Sequence, residues 1–167
     1  QKLDIIAAPD VSYGGMENAG AIVYREEYLL LDTDASLNQK QAFGKMHAHE
    51  LSHQWFGNLT THTWWDDAWL NEAFATWITY KIADKWQPNS GIDLQLISRV
   101  HAVMKKDGSS AVRQIRQPIE SIGDIYSAFD GITYVKGAAV LRMFEHFVGE
   151  EIFRQGIQHH LSRFAFD

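Results

Sequence analysis

His49 and His53 stand four residues apart with Glu50 beside the first of them, and Glu72 follows after eighteen intervening residues. Histidines at that spacing lie one above the other on a helix, so both imidazoles can turn toward a single ion. Two imidazole nitrogens and one carboxylate oxygen suit zinc, and they leave a fourth tetrahedral position for water, which marks a catalytic rather than a structural centre. A carboxylate next to the first histidine is turned off the ligand axis and can take a proton from that water. The pattern therefore predicts one Zn2+ per chain, held by His49, His53 and Glu72, with Glu50 as the general base of a hydrolytic reaction. The competing reading, two histidines spaced by four through chance, loses ground because Glu72 is offered from a second helical run.

Two helices must present these groups. From about Leu37 to Phe56 the apolar period is helical, with Ala42, Met46, His49 and His53 along one stripe and Ser36 or Asn38 as its cap. Asp66 or Asp67 precedes the second run, where Trp69, Leu70, Ala73, Phe74, Trp77, Ile78 and Ile82 form an apolar face. Glu72 lies off that face among Ala68, Ala75, Thr76 and Thr79, whose small side chains allow close approach to another backbone. Asn71, directly before it, is placed to hydrogen-bond a ligand histidine. Trp64, Trp65, Trp69 and Trp77 read as core.

Ahead of these helices, Leu3 to Ala8 and Ala19 to Tyr24 read as neighbouring strands around the turn-rich stretch PDVSYGGMENAG, with Tyr28 to Leu31 extending the sheet. Behind them, a helix from Ile92 to Lys106 is expected after a Ser90 cap, with Ile92, Leu96, Val100, Val103 and Met104 inward. Residues 109–131 read as a wrapped connection without its own regular structure. Helices resume at about Ile132 to Val148 and Glu150 to Phe164, separated by Gly149. The expected fold class is α+β, mainly helical with a small N-terminal β portion: residues 1–35 carry the strands and the GGMEN loop, and residues 36–167 carry the helices and the metal site.

Composition narrows the function classes. A net charge of −6 lacks the basic face that a nucleic-acid partner requires, and no run approaches the length of a membrane span. With no cysteine, a metal falls to the eight histidines and the carboxylates. The chain reads as soluble, the cytoplasm favoured but the compartment left open. It opens on Gln and stops just after a helical pattern, and is read as a piece of something longer.

HELSHQWFGN followed by WWDDAWLNEAFATW resembles the zinc aminopeptidase family of the gluzincin class, which includes aminopeptidase N and the leukotriene epoxide hydrolase. GGMEN, at Gly14 to Asn18, resembles its G-x-M-E-N exopeptidase motif, and YVKGAAVL, at Tyr134 to Leu141, resembles the segment bearing its catalytic tyrosine. The resemblance covers nearly the whole chain. It implies a partial thermolysin-like catalytic domain in which Glu17 binds the free α-amino group of a peptide substrate, Gly14, Gly15, Met16 and Asn18 line the substrate, and Tyr134 hydrogen-bonds the oxyanion. Both roles are chemically sound: a carboxylate at a strand edge pairs with an ammonium, and a phenol is a neutral donor near pH 7. The resemblance further implies flanking domains in a longer parent. Ala73 and Ala19 depart from the family pattern, and Ala19 bears on the pocket for the first substrate residue. Lys136 and the other histidines receive no role. The expected function is that of a zinc-dependent aminopeptidase; the alternatives are a thermolysin-type endopeptidase and a zinc-binding but inactive fragment.

Overall fold

A computed structural model describes residues 2–166. Three short strands open the chain: β1 (Asp4–Ala8), β2 (Gly15–Met16) and β3 (Ala21–Arg25), in the order β1-β3-β2. β1 runs parallel to β3, with Ile5 opposite Ile22, while β2 lies antiparallel on the other side of β3, with Gly15 opposite Tyr24. The first and last strands are thus neighbours as expected, and the glycine-bearing loop between them adds an edge strand. Ile22 and Tyr24 on β3 are buried, so the central strand supplies the sheet's core side chains.

The sheet does not continue through Tyr28. Glu26–Leu29 form one turn of helix, α1, opened by two acidic residues that favour a helix N-terminus, and this corrects the strand expected there. Helix α2 (Leu37–Ser52) starts at Ser36, whose hydroxyl accepts from Gln39 N while the Gln39 side chain accepts from Ser36 N, a reciprocal cap. It ends four residues earlier than Phe56. His53 is its C-cap, Asn58 N donates to His53 O at 3.0 Å, and Gly57 at φ 125°, a conformation natural to glycine alone, turns the chain away.

Helix α3 (Ala68–Trp86), entered through a short 3-10 turn at Trp65–Asp67, is buried on several faces. Glu72, Ala75, Thr76 and Thr79 are buried on the side of α2, its principal neighbour. Ala73 and Trp77 pack with Ala138 and Leu141 of α6 (Gly137–Val148), joined by Phe153 and Ile157 of α7 (Glu150–Arg163). Tyr80 and Ala83 pack with Ile92 and Leu96 of α4 (Ile92–Asp107). A central helix covered this way buries more than one face: α3 is apolar toward α6 and α4, and toward α2 it carries Glu72, Thr76 and Thr79 beside Ala75. Trp77 Nε1 donates to Glu145 Oε2 at 2.9 Å, and Lys81 pairs with both Glu145 and Glu150.

Several expectations need correction. Gly91, in the left-handed region, stands at the N-cap of α4 instead of Ser90, and Met104 is exposed because it falls past the buried stripe. The connection before residue 131 contains helix α5 (Ile122–Ala128), capped reciprocally by Ser121 and Asp124, a local signal strong enough to fold seven residues. Trp64 and Trp65 are largely exposed, since they precede α3 and lie outside its packed faces. The helix expected from Ile132 begins instead as a π turn at Ile132–Lys136 before continuing as α6. No helix among the described residues is long and apolar enough to cross a membrane.

Candidate metal centre

Helices α2 and α3 bring His49, His53 and Glu72 to one point. His49 Nε2 is 3.1 Å from Glu72 Oε2, His53 Nε2 is 3.2 Å from His49 Nε2, and His53 Nε2 is 3.5 Å from Glu72 Oε2. Ligand atoms about 2.0–2.1 Å from a tetrahedral zinc ion stand roughly 3.3–3.4 Å apart, so this triangle has the dimensions the ion demands. Orientation agrees with distance. Phe56 O lies 2.8 Å from His53 Nδ1, so that nitrogen donates its proton there and Nε2 faces the other two groups.

The electrostatics make the point a trap for positive charge. Burial works to raise the Glu72 pKa, but hydrogen bonds from His49 and His53 and their charge outweigh it and hold the carboxyl down to about 2. Burial works to lower His53, but the hydrogen bond and charge of Glu72, then Glu17, then Phe56 O, push it up to about 9. A buried carboxylate kept ionised beside two imidazoles can hold a cation.

Glu50 is almost wholly buried beside this triangle. One oxygen of Glu50, one of Glu17 and a nitrogen of His53 lie within 4.8 Å of one another. Burial is the largest cause raising the Glu50 pKa; His53 opposes it, Glu17 and Glu72 reinforce it, and the carboxyl is pushed up to about 8. A carboxylate poised near neutrality is matched to moving protons. Its place requires glycine at position 15: a Cβ there would lie 2.5 Å from Glu50 Cδ and 2.6 Å from Cγ. The two-residue strand β2 therefore rests with bare backbone on the Glu50 side chain. A Cβ at Gly14 would likewise lie 2.5 Å from Met46 Cε, and Asn18 contributes its carbonyl to Ala21 N at 2.9 Å. Met16, at the edge of the sheet, is exposed.

Tyr134 reaches the site from the segment before α6, its ring centroid 6.0 Å from that of His49. Burial, then the charges of Glu72, Glu17 and Glu50, together with a hydrogen bond to Glu72, raise the phenol's pKa and keep it protonated. It sits in the π turn, whose entry is pinned by Asp130: Oδ1 accepts from Ile132 N at 2.8 Å and from Thr133 N at 3.3 Å. Arg113 holds that carboxylate at 2.5 Å and also donates to Thr133 Oγ1 and Ala128 O.

Asn71 is the exception among the anticipated residues. Its Nδ2 lies 2.7 Å from Nδ1 of His62, not on His49 or His53, because one step along α3 turns it away from Glu72. Burial pushes the His62 pKa down, so its ring accepts as a neutral base. Lys136, for which no role was expected, pairs with Asp107 at 2.5 Å and fastens the π turn to α4. Gln54 and Asn58, one and five positions after the second histidine in HELSHQWFGN, carry no sequence signal beyond their polar amide side chains.

The sequence matches the Peptidase family M1 domain across residues 1–167, and the chain belongs to that family. It is 42% identical over 166 residues to a leucyl aminopeptidase of Saccharolobus solfataricus, a match covering 99% of this chain and 21% of that protein. It is 41% identical over 171 residues to aminopeptidase N of Oryctolagus cuniculus and 42% identical over 170 residues to aminopeptidase N of Homo sapiens, covering 99% of this chain and 18% of each. The chain thus spans about a fifth of the length of these relatives.

Proposed function

We propose that these residues form the catalytic core of a zinc aminopeptidase, a part of a thermolysin-like domain that releases single residues from the free N-terminus of peptides. The observation that carries this reading is the convergence of Glu17, Glu50 and Tyr134 on the triangle of His49, His53 and Glu72. Three donor atoms at tetrahedral spacing fit zinc, and the buried, ionised Glu72 supplies charge to hold it.

His49, His53 and Glu72 would hold the ion, which when bound polarises a carbonyl and acidifies a water molecule. Glu50 takes the proton of the attacking water and hands it to the leaving amine, a role its place beside the triangle allows. Tyr134, protonated and close to His49, donates to the substrate oxygen as negative charge develops there. Glu17 pairs with the substrate ammonium. The free edge of β2 offers backbone groups to the peptide, so that the chain lies as an added strand. A cation-binding carboxylate this close to the hydrolytic centre leaves space for one residue, which sets an exopeptidase register.

The test is hydrolysis of aminoacyl arylamides and their Nα-acetylated counterparts by the intact, zinc-loaded protein. The free amines should be cleaved at least about 100-fold faster, the worth of a buried ammonium–carboxylate pair in transition-state terms. Efficient cleavage of the blocked substrates would replace this reading with an endopeptidase. Full zinc with no hydrolysis of either would leave a metal-binding module.

A further inference from the structure

Glu17 follows directly on β2, and its carbonyl lies off the β2–β3 ladder. Two side-chain amides from far along the chain take that carbonyl: Asn58 Nδ2 at 2.8 Å and Gln54 Nε2 at 3.2 Å. Both lone pairs of one oxygen are thereby used by neutral donors. Gln54 does more, since its Oε1 accepts from Gly20 N at 3.1 Å. One glutamine therefore bonds both ends of the Glu17–Gly20 turn.

The same two residues are fixed to the metal centre. Asn58 N donates to His53 O at 3.0 Å, and Leu59 N donates to Gln54 O at 3.2 Å, so the backbone after the second histidine folds back on itself. His53 is in turn locked by Phe56 O. Glu17 Oε1 ends up 3.8 Å from His53 Nδ1. A loop carboxylate that is a quarter exposed is held at short range from a buried imidazole, and the connection between them runs through Gln54 and Asn58.

We propose that Gln54 and Asn58 are positioning residues that set the distance of the Glu17 carboxylate from the metal centre, and through it the one-residue register of cleavage. The proposal rests on the reading of Glu17 as the amine anchor. One residue of extended peptide spans roughly 3.3–3.6 Å, so an anchor that drifts by a fraction of that length loses its selectivity for the first peptide bond. Neither amide touches the substrate; both act through Glu17.

The experiment is a double-mutant cycle in the intact protein, with Gln54→Met, Asn58→Asp and Glu17→Gln alone and in pairs. Zinc content and the preference for free over Nα-acetylated arylamides are measured for each. Gln54→Met conserves volume while removing the bonds to both ends of the turn, and Asn58→Asp conserves shape while removing the donor. Each single variant should retain zinc and lose about tenfold of the free-amine preference, chiefly through KM, and should release some dipeptide from longer peptides. In the Glu17→Gln background neither substitution should reduce the preference further, because residues acting through one group are not additive. Losses that simply multiply in that background, a preference unchanged within threefold, or loss of zinc in both variants would each overturn the proposal, the last by making the two residues supports of the metal centre as a whole and not of Glu17. A Glu17→Gln protein that keeps its preference would instead remove the amine-anchor reading on which the proposal stands.

Discussion

His49 Nε2 and Glu72 Oε2 are 3.1 Å apart although twenty-three positions of sequence and a change of helix separate them. Nothing local enforces this contact. It exists because α2 and α3 pack closely through small side chains, and because the buried carboxylate finds two imidazoles that compensate its charge.

Replacing Glu72 by Gln keeps the shape and removes the charge. Loss of a direct ligand should weaken zinc binding by more than about 100-fold, beyond what disturbing an outer hydrogen-bond partner costs. Metal content after dialysis against a chelator of graded strength measures it. Retention at the wild-type level would exclude Glu72 from the ligand set.

Gly15→Ala tests whether bare backbone must rest on Glu50. The added methyl would displace the carboxylate, because the contacts at 2.5 and 2.6 Å leave no space. Misplacing a catalytic group by about 1 Å costs on the order of 100-fold in rate. We expect kcat to fall by that amount with zinc content unchanged.

Tyr134→Phe should lower kcat about 100-fold or more and leave KM nearly unaltered, the pattern for a donor engaged only as charge develops. Arg113→Met removes the clamp on Asp130 and Thr133 at the entry to the π turn, and should reproduce a milder form of the same kcat loss. A change confined to KM in Tyr134→Phe would contradict its assignment to the oxyanion.

Lys81→Met addresses stability away from the site. The ammonium pairs with Glu145, which also accepts from Trp77, and with Glu150 at the start of α7. Because the lysine is itself partly solvated, we expect a loss of about 1–2 kcal/mol, read from urea unfolding at neutral pH. Burial works to lower the Lys81 pKa, but the hydrogen bonds and charges of the two glutamates outweigh it and raise it. Its contribution is therefore complete below the ordinary lysine range and is lost as pH climbs past the raised value. Wild type and variant should converge in strong alkali.

The meeting of His49, His53 and Glu72 was readable in the sequence because its geometry is mostly helical arithmetic: a four-residue step places the two histidines, and small neighbours announce that Glu72 can come close. Glu17 and Tyr134 were readable only through family resemblance, since a turn glutamate and a helix-start tyrosine carry no signal of their own. The misses have separate causes. Tyr28 looked apolar enough for a strand until two acidic residues opened a helical turn, and Asn71 looked adjacent to the ligands until the helix carried it round to His62. Gln54 and Asn58 owe their importance to a carbonyl thirty-seven and forty-one positions away, and such long-range pairings leave no periodic trace.

The π turn at residues 132–136 acts as a phase shifter. An α-helix advances about 100° per residue, so one surplus residue accommodated in a wider turn rotates everything before it relative to everything after. Helix α6 can then keep Ala138 and Leu141 against α3 while Tyr134 is aimed into the site. Deleting a single residue from this turn would bring the helix back into step and turn the phenol elsewhere, at the cost of shifting the buried Ile132, Thr133 and Val135. The placement of the tyrosine is thus encoded by a count of residues as much as by the residue itself.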